Sequence, residues 1–128
     1  MVKRKEEPER EERITMEIIV DAYGPEERAM SWYYYLEEKI EFPFTAVCSI
    51  RRAISPLQIG DEVELQSMAP EDECQHEIFV VIHWAKQSLA VPLSQLRPVH
   101  GSDETIEAVV DWLYWREQAA ATDPNLLS

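Results

Sequence analysis

The sequence is short of glycine and of nucleophile motifs, and these shortages exclude the commonest kinds of enzyme. Only three of its 128 residues are glycine. The chain therefore has neither a G-x-G-x-x-G loop nor a P-loop, which let phosphate groups approach the backbone closely. No serine or cysteine stands in the strand-to-helix turn typical of a nucleophile elbow. We therefore expect no enzymatic activity.

Cysteines and long apolar runs are also scarce. The two cysteines, Cys48 and Cys74, are too few for a disulfide framework. The longest apolar stretches, such as Ile78 to Ile82, are far shorter than the roughly 20 residues needed to cross a membrane. The N-terminus is charged and does not resemble a signal peptide. A chain of this length usually organises one core, so we expect one cytoplasmic domain.

Positive charge is the third shortage. The chain has 25 acidic and 12 basic residues, and its net charge is −13. The first thirteen residues are neutral, so the segment from Ile14 onward carries the whole imbalance, with 20 acidic against 7 basic residues. Such a field repels nucleic acid and anionic membrane surfaces. Cations, and possible basic protein partners, are the expected ligands.

The chain divides into two charged or polar ends and one ordered middle. Residues 1–13 contain almost no apolar side chains, so we predict a disordered charged tail. Residues 14–119 are predicted to form a single domain, followed by a flexible C-terminal tail at 120–128. Within the domain, Ile14 to Val20 is rich in β-branched residues and predicts a short strand or an extended arm.

Two segments have helical periodicity. Pro25 suits a first helical turn, and the apolar residues that follow recur at helical spacing. This pattern predicts a helix at 25–40, which ends before Phe42-Pro43 because a residue preceding proline is displaced from the helical region. Ser102 is a suitable N-cap for a second helix at 103–119.

The middle of the chain has strand character. Four short segments are rich in β-branched or aromatic residues and are separated by turn formers; these are Phe44–Arg51, Asp61–Met68, Glu77–Ala85 and Ser88–Leu96. Lys86-Gln87 is short enough for a tight hairpin. The predicted fold is α+β: a small antiparallel SH3-like β-barrel flanked by two amphipathic helices.

A zinc site is one interpretation of Cys74, His76 and His83, because sulfur and imidazole are the usual ligands of zinc. Their spacing matches no standard zinc module. The sequence favours instead Cys48 as a small core hydrophobic residue on a strand, with His76 and His83 as ordinary loop and strand residues.

Carboxylates are the remaining candidate ligands, and calcium suits them because it takes six to eight oxygen ligands in a loose geometry. They form three clusters: Glu37, Glu38 and Glu41; Glu71, Asp72, Glu73 and Glu77; and Asp103, Glu104, Glu107 and Asp111. Each cluster is also compatible with a solvated surface that only maintains solubility. The chain lacks the twelve-residue loop of an EF-hand, the most specific sequence signal for calcium.

A different class of function fits the same composition. An acidic protein-interaction adaptor would bind a basic partner without calcium dependence, and the negative field would steer the encounter. Magnesium distinguishes the two hypotheses, because a calcium site discriminates against the smaller octahedral ion whereas an adaptor is indifferent. The sequence alone leaves both open.

One further observation favours calcium. The stretch 26–37, which includes Trp32 and three consecutive tyrosines, resembles the cyanobacterial calcium-binding protein (CcbP-like) family when taken with Phe42-Pro43-Phe44. Further blocks resemble that family in the same order: 55–57, 60–63, 68–74, 89–96, 111–112 and 114–115. The resemblance extends over about residues 14 to 116.

The resemblance implies a non-EF-hand protein that binds Ca²⁺ and buffers or senses intracellular calcium in cyanobacterial signalling. It makes residues 14–119 a calcium-binding domain. The acidic residues within the similar blocks are Glu37, Glu38, Glu71, Asp72 and Glu73. Spacing adds Glu41 and Glu77 to the predicted metal site.

Overall fold

A computed structural model describes residues 7–122 of the chain, with side chains described up to residue 118. Three α-helices are present in this part: α1 (Pro8–Arg13), α2 (Pro25–Lys39) and α3 (Asp103–Thr122). The five strands are β1 (Phe44–Cys48), β2 (Glu62–Met68), β3 (Phe79–Trp84), β4 (Gln87–Pro92) and β5 (Leu96–His100). Three short helical turns are a π-helix at Ile14–Ile18 and 3-10 helices at Glu71–Glu73 and Leu93–Gln95.

The strands form one antiparallel sheet in the order β4-β3-β2-β1-β5. Strands β4 and β5 lie at opposite edges, so the sheet is open and the predicted closed SH3-like barrel is not confirmed. The predicted strand Ser88–Leu96 is in fact two elements. Pro92 lacks the N–H needed to extend a ladder, the chain turns through Leu93–Gln95, and Leu96 begins the unpredicted strand β5 beside β1.

Helices α2 and α3 lie close to their predicted positions and pack against each other. Helix α2 begins at Pro25 and ends at Lys39, where Ile40 becomes extended. Helix α3 continues to Thr122, so the predicted flexible tail at 120–128 overlaps its last turn, and residues 123–128 lie outside the described part. No helix among the described residues is long and apolar enough to span a membrane.

The N-terminal segment differs from its prediction. Residues 8–13, predicted as part of a disordered tail, form α1, and Ile14–Ile18 is helical instead of a strand or extended arm. The reason is tertiary: Arg10 and Arg13 bind a buried carboxylate of α3, and Ile14 and Ile18 are buried in the core. Residues 1–6 of the predicted tail lie outside the described residues. Residues 7–122 thus contain three α-helices instead of the predicted two.

The core lies between the helices and the sheet. Trp32 and Leu36 of α2 are fully buried and join Leu65, Val80 and Ile82 of the sheet in one cluster. The aromatic run of α2 is therefore mainly core. Tyr34 is the exception because half of its surface is exposed.

Candidate metal site

The densest exposed acidic segment is the turn between β2 and β3. Pro70 has an extended backbone, and a single 3-10 turn at Glu71–Glu73 follows it. All three carboxylates of this turn are exposed. Hydrogen bonds of 2.9 Å from Glu73 N–H to the carbonyl of Pro70, and of 3.0 Å from Cys74 N–H to that of Glu71, define the backbone of the turn. The turn thus presents three negative charges to solvent.

Two tyrosines of α2 fasten this segment to the helix. The buried hydroxyl of Tyr33 donates a 2.8 Å hydrogen bond to the carbonyl of Ala69. The exposed hydroxyl of Tyr34 donates to the carboxylate of Glu71. The start of the acidic turn therefore lies against α2. Helical spacing predicted that this aromatic run lies in a helix, but it did not indicate that the two hydroxyl groups anchor the acidic turn.

The pKa values of these two tyrosines are raised by burial, by hydrogen bonding and by nearby carboxylates. Burial, followed by the charges of Glu37 and Glu71, raises the pKa of Tyr33 to about 12. The hydrogen bond to Glu71 is the main reason that the pKa of Tyr34 is raised, and the charge of Glu37 contributes as well. Glu37 lies one helical turn after Tyr33 and Tyr34, so it is on the same side of α2 as the two hydroxyl groups that contact the turn.

The other two carboxylates predicted near the end of α2, Glu38 and Glu41, have no described contact with the acidic turn. Glu38 and Glu41 are both exposed. The backbone N–H of Glu41 donates a 2.8 Å hydrogen bond to Thr105 at the start of α3. Within the described part of the chain, no hydrogen bond or ion pair joins Glu38 or Glu41 to the turn at Glu71–Glu73. Their place in a calcium site stays a prediction.

Glu77 has a different environment from the rest of the predicted site. Its carboxylate accepts hydrogen bonds from Arg52 at 2.8 and 3.2 Å, from Arg116 at 3.0 Å and from Ser94 at 3.0 Å. Burial opposes ionisation, but the hydrogen bonds from Arg52 and the charge of Arg116 hold the pKa of Glu77 below its usual value. A calcium ion at Glu77 would have to compete with two guanidinium groups, neither of which the sequence pattern identified.

Asp111 of the third acidic cluster is also paired with arginine. Its side chain is fully buried and accepts hydrogen bonds from Arg10 and, at 2.9 and 2.8 Å, from Arg13. The hydrogen bond to Asp111 raises the pKa of Arg13, although burial opposes it. Glu107 lies 4.0 Å from Arg13. Asp111 therefore connects α1 to α3 and is not available to an external cation.

The surrounding groups fit calcium chemically without forming a finished cage. Among residues 7–118, no three His, Cys, Asp or Glu side chains lie together in a cluster able to hold a metal ion. The exposed carboxylates on the turn and at Glu37 supply hard oxygen ligands on side chains that can rotate. Backbone carbonyls of an irregular turn add further oxygen ligands. Binding at this surface would therefore draw the carboxylates together.

The zinc interpretation has little support in this structure. Cys74 is fully buried, and its sulfur accepts a 3.4 Å hydrogen bond from the N–H of Phe79. Burial raises the pKa of the Cys74 thiol, which disfavours the thiolate that zinc requires. His76 and His83 are exposed. Cys74 is thus part of the core, and Cys48, for which the sequence favoured a core position on a strand, is buried in β1.

Comparison with known proteins finds one family and two solved structures that are similar to this chain. The family model Calci_bind_CcbP, described as calcium binding, matches residues 12–116. The crystal structure of Anabaena CcbP is 38% identical to this chain over 91% of this chain and 96% of that one, with a TM-score of 0.77. A calcium-binding protein in its calcium-binding form is 36% identical over 93% of this chain and 98% of that one, with a TM-score of 0.79. No curated protein matches the chain.

Proposed function

The chain belongs to the Calci_bind_CcbP family of calcium-binding proteins, and from this premise we propose that it binds Ca²⁺ without an EF-hand and serves as a cytoplasmic calcium buffer or sensor. The family is defined by binding and is not an enzyme class. The relative solved in its calcium-binding form covers nearly the same length of chain, which supports calcium as the ion.

The observation that carries the proposal is the attachment of the acidic turn to α2. Tyr33 and Tyr34 hold the turn against the helix, and Glu37 shares their surroundings with Glu71. Two chain segments thus contribute carboxylates to one surface, where their mutual repulsion is relieved by a dication. The proposed ligands are the side chains of this surface: Glu37, Glu71, Asp72 and Glu73, with Glu38 at its edge.

Glu77 is given a structural role in this proposal. Its four hydrogen bonds satisfy the carboxylate, and two of the donor residues are permanently charged. Removing a guanidinium from a half-buried carboxylate costs more than recruiting an exposed carboxylate nearby. Glu77 therefore positions the chain at the end of the acidic segment, and the exposed residues before it bind the ion.

Exposed ligands predict modest affinity. To share one ion, exposed and hydrated carboxylates must lose side-chain freedom and approach each other against their mutual repulsion. We therefore expect a dissociation constant at the sensor-to-extracellular end, roughly micromolar to millimolar. An ion bound this loosely exchanges quickly. Fast exchange suits a protein that buffers or senses changes in calcium.

The test is a calcium titration by calorimetry on chelator-treated protein, in physiological salt with magnesium in excess. We expect saturable binding to a small number of sites that magnesium does not abolish. The double variant Asp72→Asn/Glu73→Gln should lose at least one of these sites. The matched control Glu62→Gln/Glu64→Gln removes two exposed charges from β2 and should titrate like the wild type.

Two outcomes would contradict the proposal in different ways. If the Asp72→Asn/Glu73→Gln protein titrates like the wild type, calcium binds elsewhere and the choice of the turn is wrong. If the wild type gives only unsaturable heats that magnesium removes, the carboxylates form a solvated surface, and binding to a basic protein partner becomes the better interpretation.

A further inference from the structure

A pocket lies where the start of α2, the segment preceding β3 and α3 meet. Its wall includes Trp32 from α2, Ile78 before β3, and Trp112 and Trp115 from α3. Trp115 packs against Trp32 with ring centroids 5.6 Å apart. The pocket volume is 160 Å³, and an apolar protein cavity of about 150 Å³ accommodates one benzene molecule. The space therefore suits a single aromatic ring.

The charge of this pocket is opposite to that of the protein. Arg28 and Arg116 line it together with one carboxylate, Glu77. Arg116 donates to Glu77 at 3.0 Å, and its guanidinium carbon lies 5.4 Å from the ring centroid of Trp112. Arg28 forms no ion pair and no side-chain hydrogen bond with any residue that the structure describes. One positive charge is thus left over in a protein of net charge −13.

The lining also contains a hydrogen-bond donor with no acceptor. Trp32 is fully buried, and its indole Nε1 has no hydrogen-bond partner among the described residues. A buried donor without an acceptor destabilises a protein more than a satisfied one.

We propose that this pocket binds a small aromatic carboxylate, with the ring among the tryptophans and the carboxylate on Arg28. A flat ring stacks favourably on indole surfaces. The planar guanidinium of Arg28 matches a carboxylate with two parallel hydrogen bonds. The proposal does not depend on calcium, because none of Arg28, Trp32 and Trp115 belongs to the proposed metal site.

The same observations select against other ligands. An aromatic amine has the same ring, but its positive charge would meet Arg28 and Arg116. A phosphate dianion has more negative charge than the single unpaired cation balances, and Glu77 lies in the wall. A singly charged carboxylate is the class that fits both the volume and the charge.

The test is an NMR titration of chelator-treated, nitrogen-15-labelled protein with phenylacetate, followed through the four indole N–H signals. We expect saturable shifts of the Trp32, Trp112 and Trp115 signals, with an affinity for so small a probe on the order of millimolar. The Trp84 signal, from a residue outside the pocket, should not move. Benzylamine, the cationic counterpart, should cause no saturable shift.

Substitution of the arginine completes the test. Arg28→Gln should weaken phenylacetate binding by about tenfold, because a charge-assisted hydrogen bond is lost. The matched control Arg51→Gln removes an exposed positive charge outside the pocket and should bind like the wild type. Absence of saturable shifts in the wild type, equal binding of benzylamine, or unchanged affinity in Arg28→Gln would each overturn the proposal. None of these results bears on calcium binding, which the calorimetric titration tests separately.

Discussion

Two groups of carboxylates in this domain have the same chemistry and opposite environments. Glu77 and Asp111 are each bound by two arginines and are largely shielded from water. The carboxylates of the turn at Glu71–Glu73 are exposed, and the described hydrogen bond to this group comes from the neutral hydroxyl of Tyr34. One group therefore already has its cations within the protein, whereas the other forms no ion pair with any residue that the structure describes.

The positions of the arginines decide which carboxylates of this domain are paired and shielded from water. Four of the chain's twelve basic residues, Arg10, Arg13, Arg52 and Arg116, converge on Glu77 and Asp111, and Arg10 also pairs with Glu7. These pairs stabilise the fold. The acidic turn has no such pairs within the part of the chain that the structure describes.

The largest expected effect is a loss of stability when an arginine-paired carboxylate is neutralised. Asp111→Asn leaves Arg10 and Arg13 without their charge partner against a buried amide, so the free energy of unfolding should fall by about 3 kcal/mol. Urea denaturation measures this change. Glu104→Gln, at an exposed position of the same helix, is the control and should change stability by less than about 0.5 kcal/mol. A similarly small loss in Asp111→Asn would show that the pairing of α1 with α3 is unimportant for stability.

The second-largest expected effect is the increase in stability caused by calcium, which should depend on the exposed carboxylates and not on the arginine-paired ones. At a calcium concentration about 100 times the dissociation constant, binding should add about 2.7 kcal/mol to the free energy of unfolding. This increment, measured by urea denaturation with and without calcium, should be retained in Glu77→Gln and reduced in Asp72→Asn/Glu73→Gln. The reverse pattern would mean that the arginine-paired carboxylate binds the ion.

Without calcium, Glu77→Gln should destabilise the protein by about 1–2 kcal/mol, because two charge-assisted hydrogen-bonding partners lose their ionised acceptor. The loss should also depend on pH. Since the pKa of Glu77 is lowered from 4.5 in the folded protein, its contribution is complete above that value and disappears as the pH falls through the folded pKa.

Denaturation at a series of acidic pH values measures this dependence. The stabilities of the wild type and of Glu77→Gln should converge as the pH falls below 4.5. Glu73→Gln, the exposed control, should show no such convergence. A difference between wild type and Glu77→Gln that is constant across the acidic range would show that the carboxylate charge is not what the arginines recognise.

The smallest expected effect is a change in the pKa of one hydroxyl group, that of Tyr34. The pKa of Tyr34 is raised chiefly by its hydrogen bond to Glu71, with the charges of Glu71 and Glu37 adding to it. A calcium ion bound to those carboxylates would cancel part of their charge, so the pKa of Tyr34 should fall when calcium is added. The phenolate absorbance of the wild type minus that of Tyr34→Phe isolates this group. If calcium leaves that difference unchanged, the ion does not bind beside Tyr34.

Much of the fold could be predicted because its signals are local. Apolar residues at helical spacing after Pro25 identified α2, and Ser102 correctly marked the start of α3, where its hydroxyl accepts a 3.1 Å hydrogen bond from Thr105 N–H. The strand segments were also recognisable, although their ends were not. Strand β5 was missed because residues 88–96 have the pattern of a single strand. In the structure, the turn at Leu93–Gln95 ends β4 and separates it from β5.

The sequence predicted which segments are rich in carboxylates, but not which of these carboxylates are paired with arginine. The acidic density of residues 71–73 is visible in the sequence, and so is their resemblance to a calcium-binding family. Glu77 is only four residues beyond, and no local pattern distinguishes it from its neighbours. Its arginine partners are 25 and 39 residues away.

The sequence by itself determined the negative charge of the domain, the family, most helices and strands, and the segments rich in carboxylate. These properties follow from composition and from periodicities a few residues long. Only the tertiary structure decided that Arg13 reaches Asp111 across 98 residues, that Tyr34 meets Glu71 across 37, and that residues 8–18 are helical. The physical reason is that an ion pair or a buried side chain depends on distance in space, and distant parts of a chain become neighbours only when the whole domain folds.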